Sequence, residues 1–168
     1  LNLTKKMSGE TLTSFELLSN FGVDLSIKHH NQIRFPVANK YNWYALINLS
    51  SSIRNINLED NLELIFSLAL NKGIIENAII SKSNAQENNL WKVRELLSNA
   101  QKLEGGSIKH DVSVPIDKIP LFIEMASREV IKCLPGSRLC PFGHIGDGNI
   151  HFNISQPEKL PKDIFFKK

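Results

Sequence analysis

Cysteine is scarce in this chain of 168 residues, because only Cys133 and Cys140 occur and neither belongs to a CxxC motif. Two cysteines are too few to cross-link a small secreted domain, so we expect two buried thiols in a reducing compartment. Long apolar runs are also missing, and none approaches the ~18 residues that a membrane-spanning helix needs. These two absences argue against a disulfide-stabilised domain and against a transmembrane protein.

An excess of one charge is missing too. Twenty Lys and Arg residues stand against 17 Asp and Glu, which gives a formal net charge of +3. This excess is too small and too scattered to predict a nucleic-acid-binding surface. The hydrophobic fraction of 42% and the charged fraction of 22% are near the globular average and exclude a collagen-like or disordered chain. A chain of this length buries roughly 70% of its unfolded surface, enough for one domain with a core.

The amino terminus carries no targeting signal. The chain begins at Leu1 rather than Met, and no basic segment followed by an apolar run is present. We expect a cytoplasmic protein, with peripheral attachment to a membrane left open, and we expect the sequence to be a piece of a longer polypeptide.

Hydrophobic periodicity and turn residues predict alternating helices and strands. The predicted helices are Leu12–Phe21, Leu58–Asn71, a helix from Ser83 or Asn84 to Gly105, and a helix capped by Asp117 that ends at Cys133. The predicted strands are Tyr41–Leu49, Ile74–Ile80, Ser107–Val114, Arg138–His144 and Ile150–Ile154. This order favours an α+β domain, a ferredoxin-like antiparallel sheet covered by helices on one face.

The segment with the clearest chemistry contains two histidines, His144 and His151, on either side of Asp147-Gly148. Asp-Gly between two apolar runs is a strong hairpin signal, because glycine adopts the positive φ of a tight turn. A loop centred there pairs His144 with His151 and Phe142 with Asn153. Directly opposed residues have Cβ atoms about 4.5–5.5 Å apart, so the two imidazoles could bind one metal ion with Asn153 beside them.

The same spacing has a simpler interpretation, in which the histidines are surface residues beside a glycine-rich hairpin. Two imidazoles do not complete a zinc site, which needs at least three protein ligands. Glu158 and Asp163 are the available acids downstream, and they lie in a proline-rich tail. Spacing alone leaves both interpretations open and does not identify the metal.

The run Gly143–His151 resembles the signature of the C-terminal domain of FAD-linked oxidases, flavoenzymes of the vanillyl-alcohol-oxidase type that oxidise 2-hydroxy acids. Leu90–Glu95 and Ser107–Pro115 agree with that family in order and spacing, and Leu12–Glu16 resembles the segment that opens the domain. The resemblance covers nearly the whole chain. Lys109–Pro115 is most similar to the D-2-hydroxyglutarate dehydrogenase group, with D-lactate dehydrogenases and glycolate oxidase subunits as more distant relatives.

The resemblance implies roles for six residues. Metal binding, usually of zinc, falls to His144 and His151, and substrate binding falls to Arg94, Ser98, Lys109 and Asn153. Ser98 stands where relatives have Thr. Without the resemblance, the better interpretation of Arg94 is a solvated helix residue, and that of Lys109 is an ordinary residue on the polar face of a strand. Alternation along that strand points Asp111 and His110 to opposite faces, and we assign Asp111 a structural role.

The resemblance also implies an activity, the oxidation of a D-2-hydroxy acid of the 2-hydroxyglutarate, lactate or glycolate class to the 2-oxo acid. Hydride passes from the substrate Cα to N5 of FAD, and an electron acceptor reoxidises the flavin. A divalent metal ion would lower the pKa of the substrate hydroxyl. Arg94 and Lys109 would neutralise carboxylate charge, and having two such cations suits a dicarboxylate.

In the family, the FAD-binding domain precedes this segment, while the third metal ligand, a glutamate, and a histidine base follow it. We therefore interpret residues 1–168 as a single C-terminal (substrate/cap) domain with no catalytic base of its own. A second function class stays open, a free-standing ferredoxin-like module that binds a small ligand or regulates without catalysis. Oligomerisation is also left open by the sequence.

Overall fold

The computed structural model describes residues 1–53 and 55–167, so Arg54 and Lys168 lie outside the described part. Within it the chain forms seven α-helices and six β-strands. The helices are α1 (Asn2–Ser8), α2 (Asn20–His29), α3 (Leu58–Asn71), α4 (Asn84–Glu95), α5 (Leu97–Glu104), α6 (Ile119–Cys133) and α7 (Lys162–Phe165). The strands are β1 (Leu12–Ser19), β2 (Trp43–Leu49), β3 (Ser107–Ile108), β4 (Asp111–Ser113), β5 (Arg138–His144) and β6 (Asn149–Ser155).

The strands form one open sheet in the order β2-β1-β5-β6-β3, with β4 also paired to β6. Every pairing between them is antiparallel. The prediction of an α+β domain built on an antiparallel sheet is therefore confirmed.

Apolar side chains cover both faces of the sheet, where the sequence predicted helices on one face. The first face carries Leu18, Cys140 and Phe142, which pack against α2, α4 and α5. The second face carries Ile150 and Phe152, which pack against α6 and α7. Because both faces are buried, the core strands do not show the simple alternation that a half-exposed sheet produces.

The predicted helix Leu12–Phe21 is wrong. This segment is strand β1, and the helix α2 begins at Asn20, where the Ser19 side chain accepts from the Gly22 backbone N–H. β1 lies between β2 and β5, so its backbone groups are satisfied by neighbours far away in sequence. Local spacing cannot show such pairing, and tertiary context overrides the helical pattern here.

The predicted strand Ile74–Ile80 is also wrong, because the residues of this segment, all described, form neither a strand nor a helix. A β-branched run needs a neighbouring strand to bind its N–H and C=O groups, and here it has none. The segment instead lines an open cleft of about 790 Å³ together with β2 and α3.

Three other elements are confirmed with changes at their ends or in the middle. The predicted helix after Ser83 is capped by that residue, which accepts from the Gln86 N–H, but it divides at Leu96 into α4 and α5. The predicted strand Ser107–Val114 divides into β3 and β4. Asp117 does not cap α6, because it lies within a 3₁₀ turn that precedes the helix.

The hairpin between β5 and β6 forms, but its register differs by two residues from the prediction. Phe142 lies opposite His151 and Cys140 lies opposite Asn153, while His144 pairs with Glu16 of β1. A shift of two residues keeps every side chain on its predicted face, because the side-chain period of a strand is two. The turn is anchored elsewhere, by the Val114 N–H, which donates to the Gly148 carbonyl at 3.0 Å.

The two cysteines have different environments, which corrects the expectation of two buried thiols. Cys140 is buried in β5, and Cys133 is exposed at the end of α6. Burial raises the pKa of the Cys140 thiol to about 12, so this thiol stays protonated and unreactive at neutral pH.

Candidate functional site

Polar side chains gather on the first face of the sheet, at the end where β5 and β6 meet the hairpin turn. Cross-strand pairing sets this arrangement: Glu16 lies opposite His144, Phe142 opposite His151, and Asp111 opposite His151. Opposed residues in an antiparallel pair share a face. Side chains from four strands therefore form two adjacent rows on this face, Glu16–His144 and Phe142–His151–Asp111.

The Glu16 carboxylate contacts two of the predicted site residues, Arg94 and His144. It is only 8% exposed; one oxygen accepts from Arg94 Nε at 2.5 Å, and the other lies 3.2 Å from His144 Nδ1. A carboxylate can only accept, so this contact favours a proton on His144 Nδ1. The sequence reasoning missed Glu16. The available signal was a charged residue within the apolar run Phe15–Leu18, since a charge buried in a strand needs a partner.

The Phe142 ring fixes two of the predicted residues relative to each other. The Arg94 guanidinium lies over this ring, with Cζ 4.9 Å from the ring centroid. The His151 ring is tilted against it at 41°, with the centroids 4.9 Å apart. Phe142 is 1% exposed and belongs to the core, so it is a rigid support for both groups.

His151 has an acidic neighbour of its own. Its Nδ1 lies 3.6 Å from an oxygen of Asp111, which is an ion-pair distance rather than a hydrogen bond. The same Asp111 oxygen accepts from Asn149 Nδ2 at 2.7 Å. Asp111 thus ties β4 to the start of β6, beside the imidazole.

Asn153 lies two residues along β6 from His151, on the same face, and is buried. Its Nδ2 donates to Oε1 of the fully buried Gln101 at 2.8 Å, and Gln101 Nε2 donates to Ser155 Oγ at 3.4 Å. Gln101 was also missed by the sequence reasoning. This network holds the Asn153 side chain in a single orientation.

The two remaining predicted residues are Lys109, next to β3, and Ser98, in α5. The register of β3 and of β4 against β6 is the same, and it places Lys109 opposite Asn153 on the first face. Lys109 is exposed. Ser98 is half-buried in the first turn of α5, just after the junction at Leu96 that separates it from Arg94.

His144 and His151, the predicted metal ligands, lie on the same face of the sheet. The shifted register makes His144 and His151 diagonal rather than directly opposed neighbours on β5 and β6. Diagonal positions on adjacent strands are roughly 7–8 Å apart, which is farther than predicted. Each has Nδ1 turned towards a carboxylate, which is the usual arrangement of a metal-binding imidazole. Among residues 1–53 and 55–167, no group of three or more His, Cys, Asp or Glu side chains could hold a metal ion. The described residues therefore fit two ligand positions and do not complete the site.

Residues 2–164 match the family model described as FAD linked oxidases, C-terminal domain. The chain belongs to this family. The family assignment agrees with the resemblance carried by the His144–His151 motif and by the segment around Arg94.

Curated proteins similar to this FAD-linked oxidase domain include several named for D-2-hydroxyglutarate. The chain is 31% identical to the mitochondrial D-2-hydroxyglutarate dehydrogenase of Arabidopsis thaliana over 159 residues, 92% of the chain and 27% of that protein. It is 31% identical to the D-2-hydroxyglutarate dehydrogenase of Stutzerimonas stutzeri over 157 residues, 94% of the chain and 33% of the relative. The D-2-hydroxyglutarate–pyruvate transhydrogenase of Saccharomyces cerevisiae is 26% identical over 162 residues, 92% of the chain and 32% of the relative.

The chain thus spans between a quarter and a third of the length of these relatives. Within the part of the chain that the structure describes, no helix is both long and apolar enough to cross a bilayer.

Proposed function

We propose that this chain is the substrate-binding and metal-binding part of an FAD-dependent dehydrogenase that oxidises a D-2-hydroxy acid to the 2-oxo acid. The observation that carries the proposal is the pair of contacts by which Glu16 joins Arg94 to His144, with His151 nearby against Phe142. It brings a carboxylate-binding group and two metal-binding groups to one face of the sheet.

Arg94 is the proposed contact for the substrate carboxylate. Its side chain is 21% exposed, so the guanidinium reaches solvent from a fixed position over Phe142. A planar guanidinium binds a carboxylate through two parallel N–H donors. Ser98, Lys109 and Asn153 are the further proposed substrate contacts, and the exposed Lys109 ammonium suits a second carboxylate.

His144 and His151 are the proposed ligands of a divalent metal ion, with zinc as the metal, and the remaining ligands come from outside the described residues. A bound divalent cation lowers the pKa of a coordinated hydroxyl. The two imidazoles and Arg94 would then hold the substrate with its hydroxyl and carboxylate on the sheet side. FAD and the proton-accepting base belong, in this proposal, to other parts of the complete protein.

The substrate class follows from the relatives. Those named above carry D-2-hydroxyglutarate in their names, and D-2-hydroxyglutarate is a dicarboxylate that would engage both Arg94 and Lys109. Lactate-class and glycolate-class acids are the alternatives. A cytoplasmic location stays a prediction, because the relatives from Arabidopsis thaliana and Rattus norvegicus are named as mitochondrial.

The test uses the complete gene product that contains this chain. We expect it to contain bound flavin and a divalent metal ion, and D-2-hydroxyglutarate should bleach the flavin absorbance anaerobically while the L enantiomer does not. His144→Ala should remove the metal and slow flavin reduction by about 100-fold or more, because a bound metal ion contributes several kcal/mol to the barrier.

The matched control is His110→Ala. His110 is an exposed histidine of the neighbouring strand segment, and by alternation it points to the other face from Asp111. It should leave metal content and reduction rate unchanged. A full-length protein that binds carboxylates without flavin would contradict the proposal and favour the free-standing module instead.

A further inference from the structure

We propose that Glu16 is a positioning residue, whose carboxylate sets the orientation of both the substrate-binding Arg94 and the metal-binding His144. This inference rests on the proposed function for the roles of those two residues. It assigns the coupling between them to a single side chain of β1.

The geometry makes Glu16 a bridge. One carboxylate oxygen accepts from Arg94 Nε at 2.5 Å, and the other lies 3.2 Å from His144 Nδ1. Glu16 itself is held by the sheet, because it pairs with His144 on one side and with Leu46 on the other. A carboxylate that is 8% exposed is costly to bury without partners, and Arg94 supplies the compensating charge.

The bridge decides which nitrogen of His144 is available. Because Glu16 can only accept, it favours the tautomer with the proton on Nδ1 and the lone pair on Nε2. An imidazole that binds a metal through one nitrogen usually donates the other N–H to a carboxylate, and this contact fixes the ring and raises its basicity. Ser14 Oγ, at 3.5 Å from the same Nδ1, is too distant to do this alone.

The bridge also decides which edge of the Arg94 guanidinium is available. Nε donates to Glu16, and Cζ lies over the Phe142 ring. Among the described residues, neither terminal nitrogen of Arg94 has a hydrogen-bond partner. The edge formed by these two nitrogens can bind a carboxylate with two parallel hydrogen bonds.

The test compares Glu16→Gln with Glu104→Gln. Glu104 is an equally buried glutamate, 10% exposed, whose partners in the described residues are Lys28, His29 and Arg138 rather than His144 or His151. A glutamine keeps only one acceptor oxygen, so it cannot reproduce the contacts that two separate oxygens of Glu16 make with Arg94 and His144. When its oxygen accepts from Arg94, its amide N–H₂ faces His144 Nδ1 and favours the opposite tautomer.

The first measurement is the ring ¹⁵N chemical shifts of His144 in the metal-free complete protein, at a pH where the imidazoles are neutral. We expect the Nδ1–H tautomer in the wild type and in Glu104→Gln, and a shift to Nε2–H in Glu16→Gln. A wild-type His144 in the Nε2–H form overturns the proposal, whether or not any variant folds.

The second measurement separates the positioning role from simple stability. Glu16→Gln should weaken zinc binding and raise the KM for D-2-hydroxyglutarate, each by about 10–100-fold, while Glu104→Gln changes neither. Equal effects of the two substitutions overturn the positioning role but leave the proposed function intact. Absence of flavin and of turnover in the wild type counts against the proposed function, and the tautomer result still decides the role of Glu16.

Discussion

Arg94 and Arg138 are held in the same way at two different places in the fold. Each guanidinium donates to a buried glutamate at 2.5 Å, Arg94 to Glu16 and Arg138 to Glu104. Each also lies over a phenylalanine ring, with Cζ 4.9 Å from the centroid for Arg94 and 5.4 Å for Arg138. The two pairs differ in their neighbours, because only Arg94 shares its glutamate with a histidine of the hairpin motif.

This matched pair separates substrate binding from structural support. We expect Arg94→Lys to raise the KM for D-2-hydroxyglutarate by about 10–100-fold, because a lysine has no planar fork for bidentate binding. Arg138→Lys should leave KM unchanged and should lower the free energy of unfolding about as much as Arg94→Lys does. Steady-state kinetics and urea denaturation of both variants measure the two effects. An unchanged KM in Arg94→Lys would remove Arg94 from the substrate site.

Glu104 gives the fold a dependence on pH. Burial raises the pKa of this carboxyl, but hydrogen bonds from Lys28, His29 and Arg138 outweigh it and lower the pKa from 4.5 to about 2. The unfolded chain therefore binds the proton more tightly, so the contribution of Glu104 to stability is complete above about pH 4.5 and is lost as the pH falls towards 2. His29, the last residue of α2, belongs to this cluster.

We expect Glu104→Gln to lower the free energy of unfolding by about 2 kcal/mol at neutral pH, the usual effect of losing hydrogen bonds to a charged group. The difference from the wild type should shrink as the pH falls below about 4.5, because Glu104 of the unfolded chain is then protonated and must release its proton on folding. Urea denaturation across this pH range provides the measurement. Glu129→Gln, which removes an exposed ion pair with Lys132, should change little at any pH. A constant difference for Glu104→Gln would contradict the assigned pKa.

Gly148 is the residue that fits the hairpin turn against β4. Its φ is +85°, and a Cβ placed there would lie 2.3 Å from the Val114 carbonyl oxygen. Gly148→Ala should therefore destabilise the protein by about 3 kcal/mol or more, from left-handed strain of about 1–2 kcal/mol and from displacement of β4. Gly73→Ala, at φ +62° with open space around it, should show the strain alone. Similar losses in thermal or urea denaturation would mean that the contact with Val114 does not restrict the turn.

Much of the fold was predictable where the signals are local. The helix Leu58–Asn71 and the strand Arg138–His144 were predicted with the bounds that the structure shows. The cap at Ser83 was one of the two predicted, because a capping side chain and its N–H partner are three residues apart. Such elements depend on neighbours within one or two turns, which a sequence pattern records directly.

The errors occurred where distant partners decide the structure. β1 resembles a helix in its apolar spacing and is a strand because β2 and β5 pair with it. Ile74–Ile80 has the composition of a strand and lacks any strand to pair with. The hairpin register differs by two residues from the prediction, because Phe142 rather than His144 lies opposite His151.

The sequence by itself determined the family, the α+β class and the presence of the two histidines and Arg94 as candidates, because motif spacing and residue chemistry are local properties. Only the tertiary structure decided that Glu16 joins Arg94 to His144 and that Phe142 supports Arg94 and His151. The reason is physical. A buried carboxylate takes its partners from whichever strands and helices the sheet brings beside it, and its nearest partner here is 78 residues away along the chain.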